Sequence, residues 1–242
     1  MARVTEKGIV GLVGNLVFYT VNGKTYVRTK PGKRKKARGQ KVKPLNSVFG
    51  NVSRYGTAML NAAKEHLGFP LTRDAYNKAR GYMRNLYAER YQDMSWDLSA
   101  KNSGMCQLNA LADIRDIFRE EIQVSDRGKG NIHILIPSFN PKLTLKSPIR
   151  SVKANLKLIA VTSPFKETGP RYSLCIKQCS FTFNKKSIPS TEILLETGSS
   201  AKDIVLVIAA LEFETNDHVS GAVNKDIKWL PAAIIAMGRL KK

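Results

Sequence analysis

Cysteine is scarce and unpatterned, with three residues in 242, an odd number that never takes Cys-x-x-Cys spacing. A disulfide scaffold is thereby excluded. Cys175 and Cys179 lie four apart in an alternating segment, which puts both side chains on one face but too far apart to bridge, so they read as core thiols. Cys106 has no histidine near it in sequence. Histidine is equally sparse: His66, His133 and His218 fall in three different elements, none beside a second metal ligand at useful spacing. No apolar run approaches the roughly 18 residues of a membrane span. The start, Met1-Ala2-Arg3-Val4-Thr5-Glu6-Lys7-Gly8, has no apolar h-region, so no secretory signal is expected and the placement expected is cytoplasmic or virion-associated.

Negative charge is the other shortage. Forty Lys and Arg stand against nineteen Asp and Glu, a formal net charge of +21, while 43% of residues are hydrophobic. That is too apolar for a disordered polycation, so the chain reads as a folded protein with an anionic partner. The excess is front-loaded: residues 1–43 hold twelve basic residues and one acidic, whereas residues 44–127 hold eleven and ten. Its densest part, Lys30-Pro31-Gly32-Lys33-Arg34-Lys35-Lys36-Ala37-Arg38-Gly39-Gln40-Lys41-Val42-Lys43, repels itself until an anion neutralises it.

Three stretches follow from periodicity. Val17 to Val21 and Lys24 to Arg28 are rich in β-branched and aromatic residues, and Asn22-Gly23 between them suits a two-residue hairpin turn. Gly8, Gly11 and Gly14 read as packing glycines in an irregular stretch, and no Gly-Lys-Ser or Gly-Lys-Thr follows to make a phosphate loop. From Pro44 the period becomes helical: Val48, Val52, Tyr55, Met59, Ala63 and Leu67 predict one helix, stopped by Gly68 and Pro70. Ala75, Ala79, Tyr82, Met83 and Leu86 predict a second, from Thr72 to about Tyr91, whose other face carries Arg73, Asn77, Arg80 and Arg84 bordered by Tyr76, Tyr87 and Tyr91. Leu108, Leu111, Ala112, Arg115, Phe118 and Ile122 predict a third helix near Cys106 to Val124.

Beyond Gly128 the pattern alternates. Val152, Ala154, Leu156, Leu158 and Ala160 point one way, and Lys153, Asn155 and Lys157 the other. Further strands are expected at residues 133–136, 172–179, 181–183, 191–196, 204–213 and 227–237. The reading is an α+β chain in three parts: an N-terminal β-hairpin and basic arm (1–43), a helical region (44–127), and a C-terminal antiparallel β-sandwich-like domain (128–242).

Catalytic chemistry is hard to find. Asp93 and Asp97, Asp113 and Asp116, and Glu120 and Glu121 lie at helical or adjacent spacing beside Arg115 and Arg119, as ion pairs do. Glu212 and Glu214 share one face of a strand, where a solvated face is the plainer reading and a bound cation the other. Nucleophile elbow, zincin helix and dinucleotide fingerprint are all missing. The expectation is therefore a non-enzymatic protein with no cofactor, no metal and no evident small-molecule substrate. Its expected contacts are Lys30, Lys33, Arg34, Lys35, Lys36, Arg38, Lys41 and Lys43, which can neutralise nucleic-acid phosphates without reading sequence. The partners expected are nucleic acid, copies of itself, or both, as in a phage virion or nucleoprotein component. The alternative is an extracellular or surface filament subunit that uses the N-terminal hairpin for subunit contacts.

One resemblance bears on source. Gly8-Ile9-Val10-Gly11-Leu12-Val13-Gly14-Asn15-Leu16-Val17-Phe18-Tyr19, continuing through Asn22-Gly23-Lys24 to Tyr26-Val27-Arg28-Thr29-Lys30-Pro31, resembles the start of a domain-of-unknown-function family of Bacteroidota bacteria and their mobile elements. The likeness covers Met1 to Leu45; helices followed by strands are similar in outline, and the Lys-rich arm departs from the pattern. It implies a bacterial or phage source and no reaction, and it supplies no catalytic residue.

Overall fold

A computed structural model describes residues 3–5, 8–21, 24–32, 44–89, 106–164, 171–198, 203–216 and 222–240. Helices and antiparallel sheets make it an α+β protein, with more strand than helix. It divides into two compact units, Met1–Lys43 and Pro44–Lys242.

The first unit is a four-stranded antiparallel meander of β1 (Arg3–Thr5), β2 (Gly8–Val13), β3 (Leu16–Val21) and β4 (Lys24–Thr29) in sequence order. Val21 pairs with Lys24, which leaves Asn22 and Gly23 between the strands, themselves outside the described residues. The glycine-spaced start is thus strand rather than irregular chain. Gly14 turns β2 into β3 at φ 55°, a left-handed conformation costly to any residue with a Cβ. Gly8 is a close approach: a Cβ there would collide with the Thr25 hydroxyl.

The second unit is layered on a large sheet ordered β5 (Cys106–Gln107), β13 (Ala232–Arg239), β11 (Ile204–Thr215), β8 (Ser151–Ser163) and β9 (Ser173–Thr182), with β12 (Ala222–Val223) also on β11. Alternation gives this sheet two different faces. One carries Ala154, Leu156, Leu158 and Ala160 of β8 with Val205, Val207, Ala209, Leu211 and Phe213 of β11. These meet Ile132, Ile134 and Ile136 of β7 (Asn131–Ile136), the centre of a small sheet flanked by β6 (Gln123–Asp126) and β10 (Thr191–Glu196). Phe118, Phe139 and Phe181 lock the end of this core, with ring centroids 5.0 to 6.5 Å apart.

The opposite face, with Ile159, Val161, Ile204, Leu206, Ile208 and Ala210, is covered by Met59, Leu60, Ala63, Ala75, Ala79 and Met83 from two helices. These are α1 (Pro44–Ala63), extended by a 3₁₀ turn at Lys64–His66, and α2 (Arg73–Glu89). Their apolar spacing and the stop at Gly68, φ 75°, follow the sequence pattern. Because both cores draw on residues between Met59 and Leu240, a chain beginning at Pro44 should still melt in one cooperative transition. Circular dichroism on that truncation checks this, and loss of the transition would make the N-terminal unit part of the scaffold.

The expected third helix at Cys106 to Val124 is not formed. Cys106 and Gln107 pair with Ile234 and Ala233, and helix is confined to one turn, α3 (Ile114–Ile117). The cause is local side-chain bonding that competes with helix. Buried Asn109 donates from Nδ2 to the carbonyls of Ile227 and Leu230, and its Oδ1 accepts from the Leu111 N–H. Asp113 then caps the short turn, accepting from the Arg115 N–H. The strands expected at residues 172–179 and 181–183 are one, β9, and residues 227–229 form a 3₁₀ turn before β13. A second single turn, α4 (Pro141–Thr144), is capped by Asn140.

Candidate nucleic-acid interface

Of the eight basic residues singled out in the sequence, Lys30 lies among the described residues. Lys33, Arg34, Lys35, Lys36, Arg38, Lys41 and Lys43 lie outside them. Lys30 is exposed just past the end of β4, where its backbone N–H donates to the Asn15 carbonyl at 2.6 Å. That bond fixes the point from which the basic segment departs.

The sheet behind Lys30 adds groups the charge pattern did not reveal. Register pairs Tyr19 with Tyr26, Val17 with Arg28 and Val21 with Lys24, so alternation puts all six side chains on one face. The tyrosine rings stack with centroids 5.7 Å apart and planes 23° from parallel. Arg28 lies over Tyr19, its Cζ 5.6 Å from the ring centroid, in cation–π range. Lys24, Tyr26, Arg28 and Lys30 alternate along one strand and its extension, so the three cations succeed one another on the tyrosine side. Glu6 is the one carboxylate in residues 1–43, so this unit has little with which to neutralise itself.

None of the described residues of this unit is buried. Val4, Ile9, Val10, Val13, Leu16, Tyr19, Val21, Tyr26 and Val27 are all exposed apolar side chains. The sheet thus carries exposed apolar side chains, and its outermost strands are β1 and β4.

The basic face expected on α2 is only partly assembled. Arg73 and Asn77 are exposed, and Arg80 is half-buried with a buried Nε that has no hydrogen-bond partner among the described residues. Tyr76 ties the two helices together, its hydroxyl donating to Asn61 Oδ1 at 2.6 Å. Tyr91 and the side chains of Arg84 and Tyr87 lie outside the described residues.

Glu212 and Glu214 do hold cations, but these are lysines of the neighbouring strand. Lys157 Nζ lies 2.6 Å from Glu212 Oε1, and Lys153 Nζ lies 3.0 Å from Glu214 Oε1. Asn155 also donates to Glu214, at 2.6 Å, and accepts from Ser180. The Asn155 and Lys153 hydrogen bonds hold the Glu214 carboxyl below the usual carboxylate range. They contribute stability above the ordinary carboxylate pKa, and it is lost as pH falls through the lowered folded value. Among the expected acidic pairs, Asp113 is bridged to Arg115 at 2.9 Å, and Asp93 and Asp97 lie outside the described residues.

A Ser, His and carboxylate do meet across the small sheet: Ser125 Oγ is 3.5 Å from His133 Nδ1, and His133 Nε2 is 3.1 Å from Glu192 Oε2. The three side chains lie on neighbouring strands, Ser125 on the edge strand β6, His133 on the central β7 and Glu192 on β10. The arrangement is a cross-strand polar contact. No group of three or more His, Cys, Asp or Glu that could hold a metal occurs among the described residues, and no described helix is long and apolar enough to cross a membrane.

The three cysteines are free thiols. Burial pushes the Cys179 thiol up to about 12, and burial likewise raises Cys106 and Cys175. Since the thiolate is the reactive form, a thiol-specific reagent at mildly alkaline pH should modify the native protein far more slowly than the urea-unfolded chain. A stoichiometric fast reaction at Cys179 in the native state would refute its placement against the core.

Comparison with protein-family models and with curated proteins returned no match.

Proposed function

We propose that this protein is a non-enzymatic structural component that binds nucleic-acid phosphates, or assembles beside nucleic acid, through its N-terminal unit and basic arm, as a virion or nucleoprotein protein does. The observation that carries this is charge segregation. Nine basic residues and no acidic one lie between Arg28 and Lys43, and at the visible root of that segment Lys24, Arg28 and Lys30 are exposed on a sheet with no described carboxylate. In the second unit Glu212 and Glu214 are paired with lysines and Asp113 with Arg115. Phosphate contacts of this kind position a protein without reading sequence. The test is whether nucleic acid copurifies and leaves on raising salt. Protein free of nucleic acid at low salt, with no affinity for added DNA or RNA, would end this reading.

The exposed apolar side chains of the meander favour a second reading, a filament or surface-assembly subunit joined through that sheet. Light scattering over a concentration series separates the two. Assembly independent of nucleic acid and abolished by deleting β1 to β4 supports the filament, and a monomer that associates only on added nucleic acid supports the first reading.

A further inference from the structure

We infer that the Tyr19 and Tyr26 face of the N-terminal sheet is a stacking platform for unpaired bases, so that the nucleic acid this protein takes is single-stranded. The inference rests on the nucleic-acid reading above and adds the class of strand. Phosphates alone would be met by the basic arm, whatever the strand. Bases of a duplex are stacked on one another and present only edges, whereas an unpaired base has a free π-face.

The sheet face offers what such a base needs. Two tyrosine rings stack on one another across β3 and β4 with centroids 5.7 Å apart, and at 38% and 45% exposed neither is used up in a core. Arg28 covers one of them at 5.6 Å and adds a planar cation that itself stacks on bases. Lys24 and Lys30 bracket the pair in sequence on the same side of the strand, with about 7 Å between alternate residues, a path for a sugar-phosphate backbone. The occupant is an anion because the face is cationic and its unit holds one acidic residue in its whole sequence. A second copy would bring the same cations against themselves.

The full-length protein is tested with a labelled oligothymidylate and with a duplex of equal length at one salt concentration. Tyr19→Thr with Tyr26→Thr keeps residues suited to strands but removes both rings. It should weaken the single strand at least about thirtyfold, the low end for two lost base stacks, with duplex affinity and salt dependence unchanged. Tyr19→Phe with Tyr26→Phe keeps the rings and should bind as the wild type does. Single-strand affinity that survives the Thr pair, or an equal fall on both substrates, overturns the platform while leaving the phosphate contact standing. A wild type that binds neither substrate defeats the nucleic-acid reading and the platform together. Should the Thr pair unfold the sheet, photo-cross-linking of wild type to a 5-iodouracil strand decides the matter: adducts on Tyr19 or Tyr26 support the platform, and adducts elsewhere only overturn it. Self-association of the wild type that the Thr pair abolishes without changing oligonucleotide affinity assigns the face to a second copy and likewise overturns it.

Discussion

Raising salt tenfold should weaken duplex binding by roughly four and a half orders of magnitude, because about five neutralised phosphates give a slope near −4.5 in log affinity against log salt, at about −0.9 per contact. The five residues are Lys33, Arg34, Lys35, Lys36 and Arg38, helped by Lys30, Lys41 and Lys43. Replacing the five by Ala should flatten the slope by about the same amount and weaken unrelated sequences equally. A filter-binding series over salt on wild type and variant reads both numbers. A variant that keeps the wild-type slope would move the phosphate contact away from these five residues and onto other basic groups of the protein.

The second large effect is expected inside the scaffold. Lys157 and Glu212 are 23% and 12% exposed, dry enough that removing one partner strands the other charge. Glu212→Leu should cost about 2 to 3 kcal/mol, below the usual figure for a fully buried pair because some solvent reaches these two. For a unit of this size that lowers Tm by roughly 5 to 10 °C. Adding Lys157→Met removes the stranded charge and should recover most of the loss. Gly68 sits against the same pair: a Cβ there would lie 3.2 Å from Glu212 Oε1, on a residue already at φ 75°. Gly68→Ala should therefore destabilise by an amount that changes when Glu212 is Leu, which a double-mutant cycle measures. Strict additivity would mean that the helix end and the ion pair do not feel each other.

Much of the scaffold could be read along the chain, since long periodic runs carry their own signal. The alternation of Ala154, Leu156 and Leu158 against Lys153, Asn155 and Lys157 placed β8 and both of its faces. The helical spacing of Tyr55, Met59 and Ala63 placed α1. The segment after Cys106 misled because Leu108, Ala112, Phe118 and Ile122 are buried by tertiary contacts that happen to fall at helical intervals, while Asn109 binds a chain segment more than a hundred residues away. No local pattern announces such a bond. Glycine misled at β2 in the opposite sense, its weak strand preference hiding a strand that tolerates Gly8 because nothing larger fits beside Thr25. In the candidate interface the arm was legible as charge and the tyrosines as an aromatic hairpin, because a two-residue turn at Asn22-Gly23 sets Tyr19 opposite Tyr26; the seat of Arg28 over Tyr19 was not, because it depends on where a long side chain comes to rest.

The large sheet is the shared wall of two cores, and this sets the order in which the second unit can open. Val205, Val207 and Ala209 look into one core from the same strand on which Leu206, Ile208 and Ala210 look into the other. β8 and β11 pair along almost their whole lengths, from Ser151 with Thr215 to Ser163 with Ile204. Peeling away either the helices or the small sheet leaves that pairing one intact core, so the outer layers can fray in turn while the central amides stay shut. Hydrogen exchange at β8 and β11 then reports only complete unfolding, and these two strands, 41 residues apart at their nearest paired ends, close a loop on which both cores depend.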